Sequence, residues 1–289
     1  MVLAERLAIT LLLKVRSDMF KFWKRCATVA LSITTGIFTF VPEACFSRGI
    51  LVINISEQTA IMLNRLLTLV VVFALTVAIS AWWLHRRKHI TIKGDSYSIQ
   101  GEYGNLFERS DCKKVVAFDE CFTTKVGDNP SDVNSDSVCG QFLQSHPIEN
   151  MQSLIDSVNL KPAKGKSKFQ GKTKYESGKL VPFEDYLLLS FAKLNSGGSG
   201  ELTRDEFLEC LSILWREIEM YYGQKDVALP ILGSGVTRMG DDSLNQQKLL
   251  DIIIASYKLS SHKIKKPYQL RIVCKESDDF SLNRVGESV

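Results

Sequence analysis

Apolar residues fall into three regimes along the chain. The first is unbroken: Ala27 to Val41 carries no charge before Pro42-Glu43 interrupts it, and Leu66 to Leu84 holds nineteen uncharged residues. Extended to Phe46, the first run reaches the ~20 residues that a hydrocarbon layer of ~30 Å requires. The second regime, 89–118, alternates with a period of two at Ile90-Thr-Ile92 and Tyr97-Ser-Ile99, then tightens into Lys114-Val-Val-Ala-Phe118. Short apolar or alternating runs bounded by polar turns predict strands. From residue 141 onward the spacing becomes helical in places. Ile148 to Val158, Phe207 to Ile218 and Leu249 to Tyr257 carry apolar residues at i, i+3 and i+4, the mark of a helix with one buried face.

Taken in order, the pattern predicts strands over 89–118, a loop over Cys121 to Gly140, a helix over Gln141 to Leu160 and a basic loop over Lys161 to Lys174. A strand or short helix follows at Pro182 to Leu194, then a helix from Thr203, a strand at Val227, a helix from Ser243 and a strand over Tyr268 to Cys274. Such alternation predicts a three-layer α/β/α domain whose ligand sits at strand C-termini. Thr203 and Glu206 have capping-box spacing, as do Ser243 and Gln246; in such a box each side chain satisfies a backbone N–H of the first turn. Phe207, Leu208, Leu211, Leu214, Trp215 and Ile218 form the expected buried face of the first of these helices, and Leu249, Leu250, Ile252, Ile253 and Tyr257 that of the second.

Asn195 to Glu206 matches a calcium loop at Gly200, Leu202 and Glu206, but Asn195, Gly197 and Ser199 stand where oxygen ligands, usually carboxylates, belong. One carboxylate side chain is too few to hold calcium. No metal site is expected.

Charge changes the picture of the N-terminal third. Residues 1–93 carry 12 Lys/Arg against 4 Asp/Glu, whereas 94–289 carry 24 against 28. Basic clusters flank the two apolar runs on their outer sides: Lys21, Lys24 and Arg25 before the first, Arg86, Arg87 and Lys88 after the second. The connector holds less positive charge, so both outer ends are expected on the cytoplasmic face. Basic character of this kind points to a bilayer and not to nucleic acid. The organisation expected is an interfacial segment over 1–26, two membrane-spanning helices over 27–88, a ligand-binding domain over 89–275 and a polar tail over 276–289. Ser32, Thr34, Thr35 and Gly36 on the first span, and Ala74, Ala78 and Ser80 on the second, are the small or polar candidates for helix contact. Ile50 to Ile55 in the connector reads either as a short strand or as a re-entrant piece. The seven cysteines form no CxxC pair, which argues against a disulfide framework and for a reducing compartment.

The stretch with most chemical promise is Asp226-Val-Ala-Leu-Pro-Ile-Leu-Gly-Ser-Gly-Val-Thr-Arg-Met-Gly240. Strand, glycine loop and helix leave backbone N–H groups able to hold phosphate oxygens, although a tight turn gives the same spelling. No Gly-Lys-Ser/Thr follows the glycines, and Arg238 stands where a dinucleotide fingerprint needs its third glycine. A second small-residue loop, Asn134-Ser-Asp-Ser-Val-Cys-Gly140, follows the strand ending at Phe118. Two such loops on neighbouring strands can clasp a diphosphate. Asp119 and Glu120 either accept hydrogen bonds from a base or ribose or are solvated loop acids. Cys121 and Cys139 have no histidine within the loop, and no catalytic set emerges.

Leu229-Pro-Ile-Leu-Gly-Ser-Gly235 resembles the second ligand loop of macro domains, which bind ADP-ribose, and Asn134 to Gly140 resembles a divergent first loop. With two apolar helices in front, the chain is similar to the membrane-anchored macro-type effectors of Thoeris anti-phage systems over about residues 20–275. The resemblance implies a macro-like domain with a mixed sheet. It implies no enzyme activity and no cofactor, but binding of an ADP-ribose derivative, a histidine–ADP-ribose conjugate made from NAD by a partner TIR-domain enzyme. It also implies homo-oligomerisation and disruption of a bacterial inner membrane, with abortive infection of the cell. Carried over by position, Gly233, Ser234, Gly235, Val236 and Thr237 would hold the diphosphate. Ser137, Val138, Cys139 and Gly140 would close over it, and Arg238 and Met239 are candidates for reading the histidine. The competing reading is a membrane-bound ADP-ribosyl hydrolase or NAD-cleaving enzyme.

Overall fold

The computed structural model describes residues 2–47, 56–86, 88–235, 237–240, 244–277 and 280–284. Two compact units divide at Arg87 and Lys88. Val236, Ser243 and the Ile50 to Ile55 run lie outside the described residues.

The first unit is a helical hairpin. Helix α1 (Val2–Phe40) runs without a break through the expected boundary at residue 26, stops ahead of Pro42, and is followed by one turn, α2 (Ala44–Ser47). Helix α3 (Glu57–His85) returns antiparallel, since Trp23 stacks on Phe73 with ring centroids 5.8 Å apart while Asn64 Nδ2 donates to Phe46 O at 2.7 Å. Glu43 and Arg65 pair at 2.8 Å beside that turn. The seam on α1 is Cys26, Ala30 and Thr34, all buried and spaced i, i+4, as small residues allow. Of the expected contact residues Thr34 lies in this seam, whereas Ser32 and Thr35 are exposed, their hydroxyls bonded to the carbonyls of Thr28 and Leu31, and Ala74 and Ala78 also face outward. Among the described residues one helix is long and apolar enough to cross a membrane, Glu57–Trp83, with mean hydropathy 2.3. The expected first span, 27–46, is broken by the bend at 41–43.

The second unit is built on strands β1 (His89–Lys93), β2 (Ser98–Tyr103) and β3 (Cys112–Asp119), then helices α4 (Val138–Ser145) and α5 (Met151–Ser157). Next come β4 (Leu180–Phe183), β5 (Tyr186–Leu194), β6 (Gly200–Leu202), α6 (Arg204–Tyr221), β7 (Asp226–Pro230), β8 (Arg238–Met239), α7 (Gln246–Leu259) and β9 (Leu270–Cys274). The sheet order is β1-β2-β9-β7-β3-β5-β6-β8, with β4 also paired to β5. Strands β2, β9, β7, β3 and β5 run parallel, β1 pairs antiparallel with β2, β4 and β6 pair antiparallel with β5, and β8 is parallel to β6, so the sheet is mixed.

Both faces of the sheet are covered. On β5, Leu187, Leu189 and Phe191 join the core formed with α6 and α7, whereas Tyr186 and Leu188 join the core that holds Phe142 of α4 and Ile155 of α5. Strands buried on both faces read as continuous apolar runs instead of alternating ones, which is why 182–194 is ambiguous from its spelling. It forms a hairpin, with Phe183 facing Tyr186 across a turn in which Glu184 takes φ 53°. The single helix expected over 141–160 is two, because Pro147 cannot donate to a ladder and Asn150 caps a new start.

The box at Thr203 and Glu206 is present in both directions. The pair expected at Ser243 and Gln246 is not what caps α7: Asn245 is the N-cap, accepting from Lys248 N at 3.0 Å, and Gln246 Nε2 donates to Lys275 O. Leu208 is exposed and leaves the predicted buried face of α6. We expect Thr203→Ala to cost about 1 kcal/mol, read as a lower unfolding midpoint in denaturant; an unchanged midpoint would show that the box contributes nothing.

Candidate functional site

Strands β3 and β7 share only three pairs, Cys112 with Asp226, Lys113 with Val227 and Lys114 with Ala228. Beyond these, β3 continues along β5 and β7 along β9. Parallel strands that separate toward their C-terminal ends open the crevice in which α/β sheets hold ligands. The residues singled out from the sequence follow these two strand ends.

After β3, Asp119 Oδ1 accepts from the N–H groups of Cys121 at 2.7 Å and Thr123 at 3.3 Å. Burial raises the Asp119 carboxyl above its usual range, against hydrogen bonds from Thr123 and Cys121 that lower it. Glu120 turns the other way. It is 3% exposed, and its Oε1 accepts from Ser167 Oγ at 2.6 Å and Leu194 N at 3.2 Å. It is therefore neither a solvated loop acid nor open to a base or ribose; it is an internal anchor.

The first loop closes through Ser137, the N-cap of α4, which accepts from Gly140 N at 3.0 Å and donates to Asn134 O at 2.6 Å. Gly140 is a packing residue: a Cβ there would lie 2.1 Å from Asn134 O, and its N–H is already engaged. The amides of Val138 and Cys139, at the start of α4, are the donors a helix leaves unmatched at its N-terminus. Val138 packs against the cluster of Leu106, Cys112, Ala228 and Val273, which seats this end of α4 over the β3–β7 junction.

Burial, with Asp119 adding to it, pushes the Cys139 thiol well above its usual value; burial and Asp119 likewise push Cys121 to about 11. Both stay protonated near neutral pH, and the thiol is a poor nucleophile. His146 stacks on Phe142 with centroids 5.3 Å apart, and its Nδ1 lies 2.9 Å from Ser145 Oγ.

The second loop is shorter than its spelling suggests. Gly233 takes φ 80°, and a Cβ on it would come 3.1 Å from Met239 Sδ. Ser234 Oγ donates to Ile231 O at 2.7 Å. Gly235 has open space where a Cβ would point. Arg238 and Met239 leave the loop to form β8, parallel to β6, with Glu201 opposite Arg238. Met239 is buried in the main core, which removes its side chain from the candidates for reading a ligand, while Arg238 is exposed. Strand β6 belongs to the stretch with the partial calcium frame. There Asn195 Oδ1 accepts from Gly197 N and Ser199 N in its own turn.

The two loops thus follow neighbouring strands, and Val138 packs against the cluster that contains Ala228 of β7. The arrangement offers main-chain donors from two loops and a desolvated acid at Asp119. Spelling alone missed the segment around Ser167 and Lys172, whose hydroxyl anchors Glu120 and whose charge acts on Asp119 and Cys121. A separate cavity of about 690 Å³ is lined by Leu160, Pro162, Lys164 and Tyr221 among others, and contains none of the nominated residues. Its Lys179 and Glu217 are matched to each other at 2.9 Å.

The family model described as Thoeris protein ThsA, Macro domain, matches residues 99–275. The chain is similar to a curated relative, Thoeris protein ThsA of Bacillus amyloliquefaciens (strain Y2). The two are 26% identical over 278 residues, which is 93% of this chain and 89% of the relative. Among solved structures, an Oceanobacillus iheyensis macrodomain with ADPR aligns at TM-score 0.43 and 10% identity, covering 65% of this chain and 91% of that one. The macrodomain of Thermus aquaticus DarG aligns at TM-score 0.37 and 14% identity, covering 62% and 98%.

Gly140→Ala should lower stability by about 1–3 kcal/mol, because backbone must move, while Gly235→Ala should leave the unfolding midpoint where it is; equal effects would contradict the packing described. For Asp119 the sign runs against ionisation. Its folded value lies above the unfolded one, so its charge destabilises the fold at neutral pH, and the penalty fades as pH falls toward about 3.9. Asp119→Asn keeps the Oδ1 acceptor and should raise the denaturation midpoint at pH 7, with a gain that shrinks on acidification.

Proposed function

This chain belongs to the Thoeris ThsA macro-domain family, and from that premise we propose that it is an anti-phage defence effector that senses an ADP-ribose derivative. The observation that carries the reading is the divergence of β3 and β7 under two donor-bearing loops. In this reading, Gly233, Ser234, Gly235, Val236 and Thr237 line one side of the diphosphate, and the amides of Val138 and Cys139 beside Ser137 line the other. Helix N-termini and loop amides favour anions without a dedicated cation. Asp119 faces the base or ribose, and Arg238 is the exposed candidate for a further contact at the rim.

The signal is a histidine–ADP-ribose conjugate supplied by a TIR-domain partner. Both α3 and the uncharged end of α1 cross the inner membrane, with the ligand-binding unit on the cytoplasmic side. The outward-facing Val29, Leu31 and Ile33 on α1 and Leu66, Val70, Leu75 and Ile79 on α3 support lipid contact. Ligand binding favours an oligomer whose helices disrupt the bilayer. A ligand can do this only by binding one assembly state better than the other. Binding without turnover is the expected behaviour in this reading, and the two thiols at the site are held protonated, which argues against cysteine nucleophiles.

Calorimetry on the full chain in detergent, with ADP-ribose and its histidine conjugate, is the direct test. Saturable binding with the ligand recovered intact is expected, and absence of binding to both ligands sinks the proposal. Gly235→Asp should weaken binding at least about a hundredfold, or ~2.8 kcal/mol, without lowering the thermal midpoint.

A further inference from the structure

The segment 161–174 carries six lysines and no acidic residue, and in composition it resembles a solvated loop. Its conformation is more ordered than that. Gln170 and Gly171 take φ 53° and 60°, and Lys172 N donates to Phe169 O at 3.3 Å. Positive φ at both central residues makes this a tight turn with a glycine where one is favoured. Lys166 bridges Thr173, Ser167 N donates to Lys172 O, and Ala163 N donates to Lys174 O, so the arms pair back from the turn.

Along the first arm, exposed Lys166 and Lys168 alternate with buried Ser167 and Phe169. The buried pair fixes the hairpin to the end of β3. Ser167 Oγ donates to the Glu120 carboxylate at 2.6 Å, and Tyr175 N, just past the second arm, donates to Glu120 O at 2.7 Å. Phe169 Cε2 lies only 3.1 Å from where a Cβ on Gly198 would sit, so the 195–200 turn closes over the ring.

The lysines differ in their surroundings. Lys168 faces Glu201 at 3.6 Å, and Lys166 Nζ donates to Thr173 Oγ1 at 3.1 Å. Lys161 and Lys164 line the separate cavity. Lys172 is exposed and pairs with no carboxylate among the described residues; its Nζ stands 4.9 Å from the centroid of the Phe169 ring. Its charge reaches the strand end, where it lowers Asp119 against the larger effect of burial.

We propose that the hairpin is a third, basic wall of the site and that Lys172 contacts the phosphates of a diphosphate ligand, setting its preference for doubly anionic groups. The reading of the site as an ADP-ribose sensor is what names the ligand; the wall itself requires only an anion of that class. Outside the hairpin, the stretch 94–289 is left with 18 Lys/Arg, the total of 24 less these six, against 28 Asp/Glu. The hairpin is therefore a local concentration of positive charge in a stretch with excess acid. The Phe169 ring, 4.9 Å from the ammonium, favours this placement of the charge before a ligand arrives, which lowers the ordering cost of binding.

The test is calorimetry on the full chain with two probes, ADP-ribose and inorganic pyrophosphate, at two salt concentrations. Lys172→Ala should weaken both about tenfold, the scale of one charge-assisted hydrogen bond, and flatten the salt dependence. Lys172→Arg should restore binding to within about threefold, and Lys164→Ala, in the same segment but beside the other cavity, should stay within about twofold. Unchanged binding in Lys172→Ala, or an equal loss in Lys164→Ala, overturns the assignment. If the parent protein binds pyrophosphate through Lys172 but not ADP-ribose, the wall stands and the sensor reading falls. If it binds neither probe, the wall falls as well.

Discussion

Everything at the site follows from the place where β3 and β7 stop pairing. Three shared pairs fix the strands side by side, and each then follows its outer neighbour. The inward-facing edges beyond Lys114 and Ala228 have no strand between them. Backbone groups left unpaired in a sheet interior must be met by loops, water or ligand. Here Val138 seats the N-terminus of α4 against the β3–β7 junction with its unmatched N–H groups, and Ile231 to Gly235 follow directly from β7. The crevice thus gathers donors because of the sheet's topology, before any side chain is considered.

A buried carboxylate holds the rim to that opening. Glu120 lies immediately after β3, and its chain atoms also bond to the Ala192 carbonyl and the Tyr175 amide. Its side chain accepts from Ser167 and from Leu194 N. A carboxylate this deeply buried is tolerable only when hydrogen bonds replace its water. Removing Ser167 would leave the charge half-satisfied, so the hairpin and the strand end are linked by a cost on both sides. Asp119, one residue earlier, keeps a different balance. One of its oxygens is committed to backbone amides, and burial holds its carboxyl up. Adjacent acids therefore divide into one that anchors the hairpin and one that caps the turn after β3.

Much of this was legible in the chain and some was not, for reasons that can be given residue by residue. The capping box at Thr203 and the helix face at Leu249, Leu250, Ile253 and Tyr257 are local patterns, and local patterns are written in sequence order. The adjacency of the two loops could be guessed from strand-then-loop spelling alone. Strand β8 could not: two residues carry no period, and they become a strand only because β6 offers an edge. That pairing draws Met239 into the core and leaves Arg238 outside. The role of 161–174 was hidden because its composition is dominated by exposed lysines. The residue that decides its position is Ser167, and its partner Glu120 lies 47 residues away. The gap at Pro42 shows the same limit in the helical unit, where hydropathy saw one span and the backbone ends α1 at Phe40.

The distribution of charge ties these parts together. A domain with excess acid repels an anionic ligand at long range, although salt screens most of that beyond ~8 Å under physiological conditions. Inside that distance the local arrangement decides. Asp119 in its desolvated setting is unfavourable for phosphate but suited to accepting hydrogen bonds from a neutral base or sugar. The amides at the start of α4 donate to any acceptor and favour an anionic one most. Lys172, held against Phe169, adds a full charge where the amides supply only partial ones. In the reading proposed above, a ligand with a neutral nucleoside at one end and a diphosphate in its middle would use all three kinds of group, whereas a bare nucleoside would leave the lysine and amides unused and a simple phosphate would leave Asp119 unused. Glu120 ties these parts together, since it follows Asp119 in the chain and its carboxylate accepts from Ser167 of the hairpin that carries Lys172.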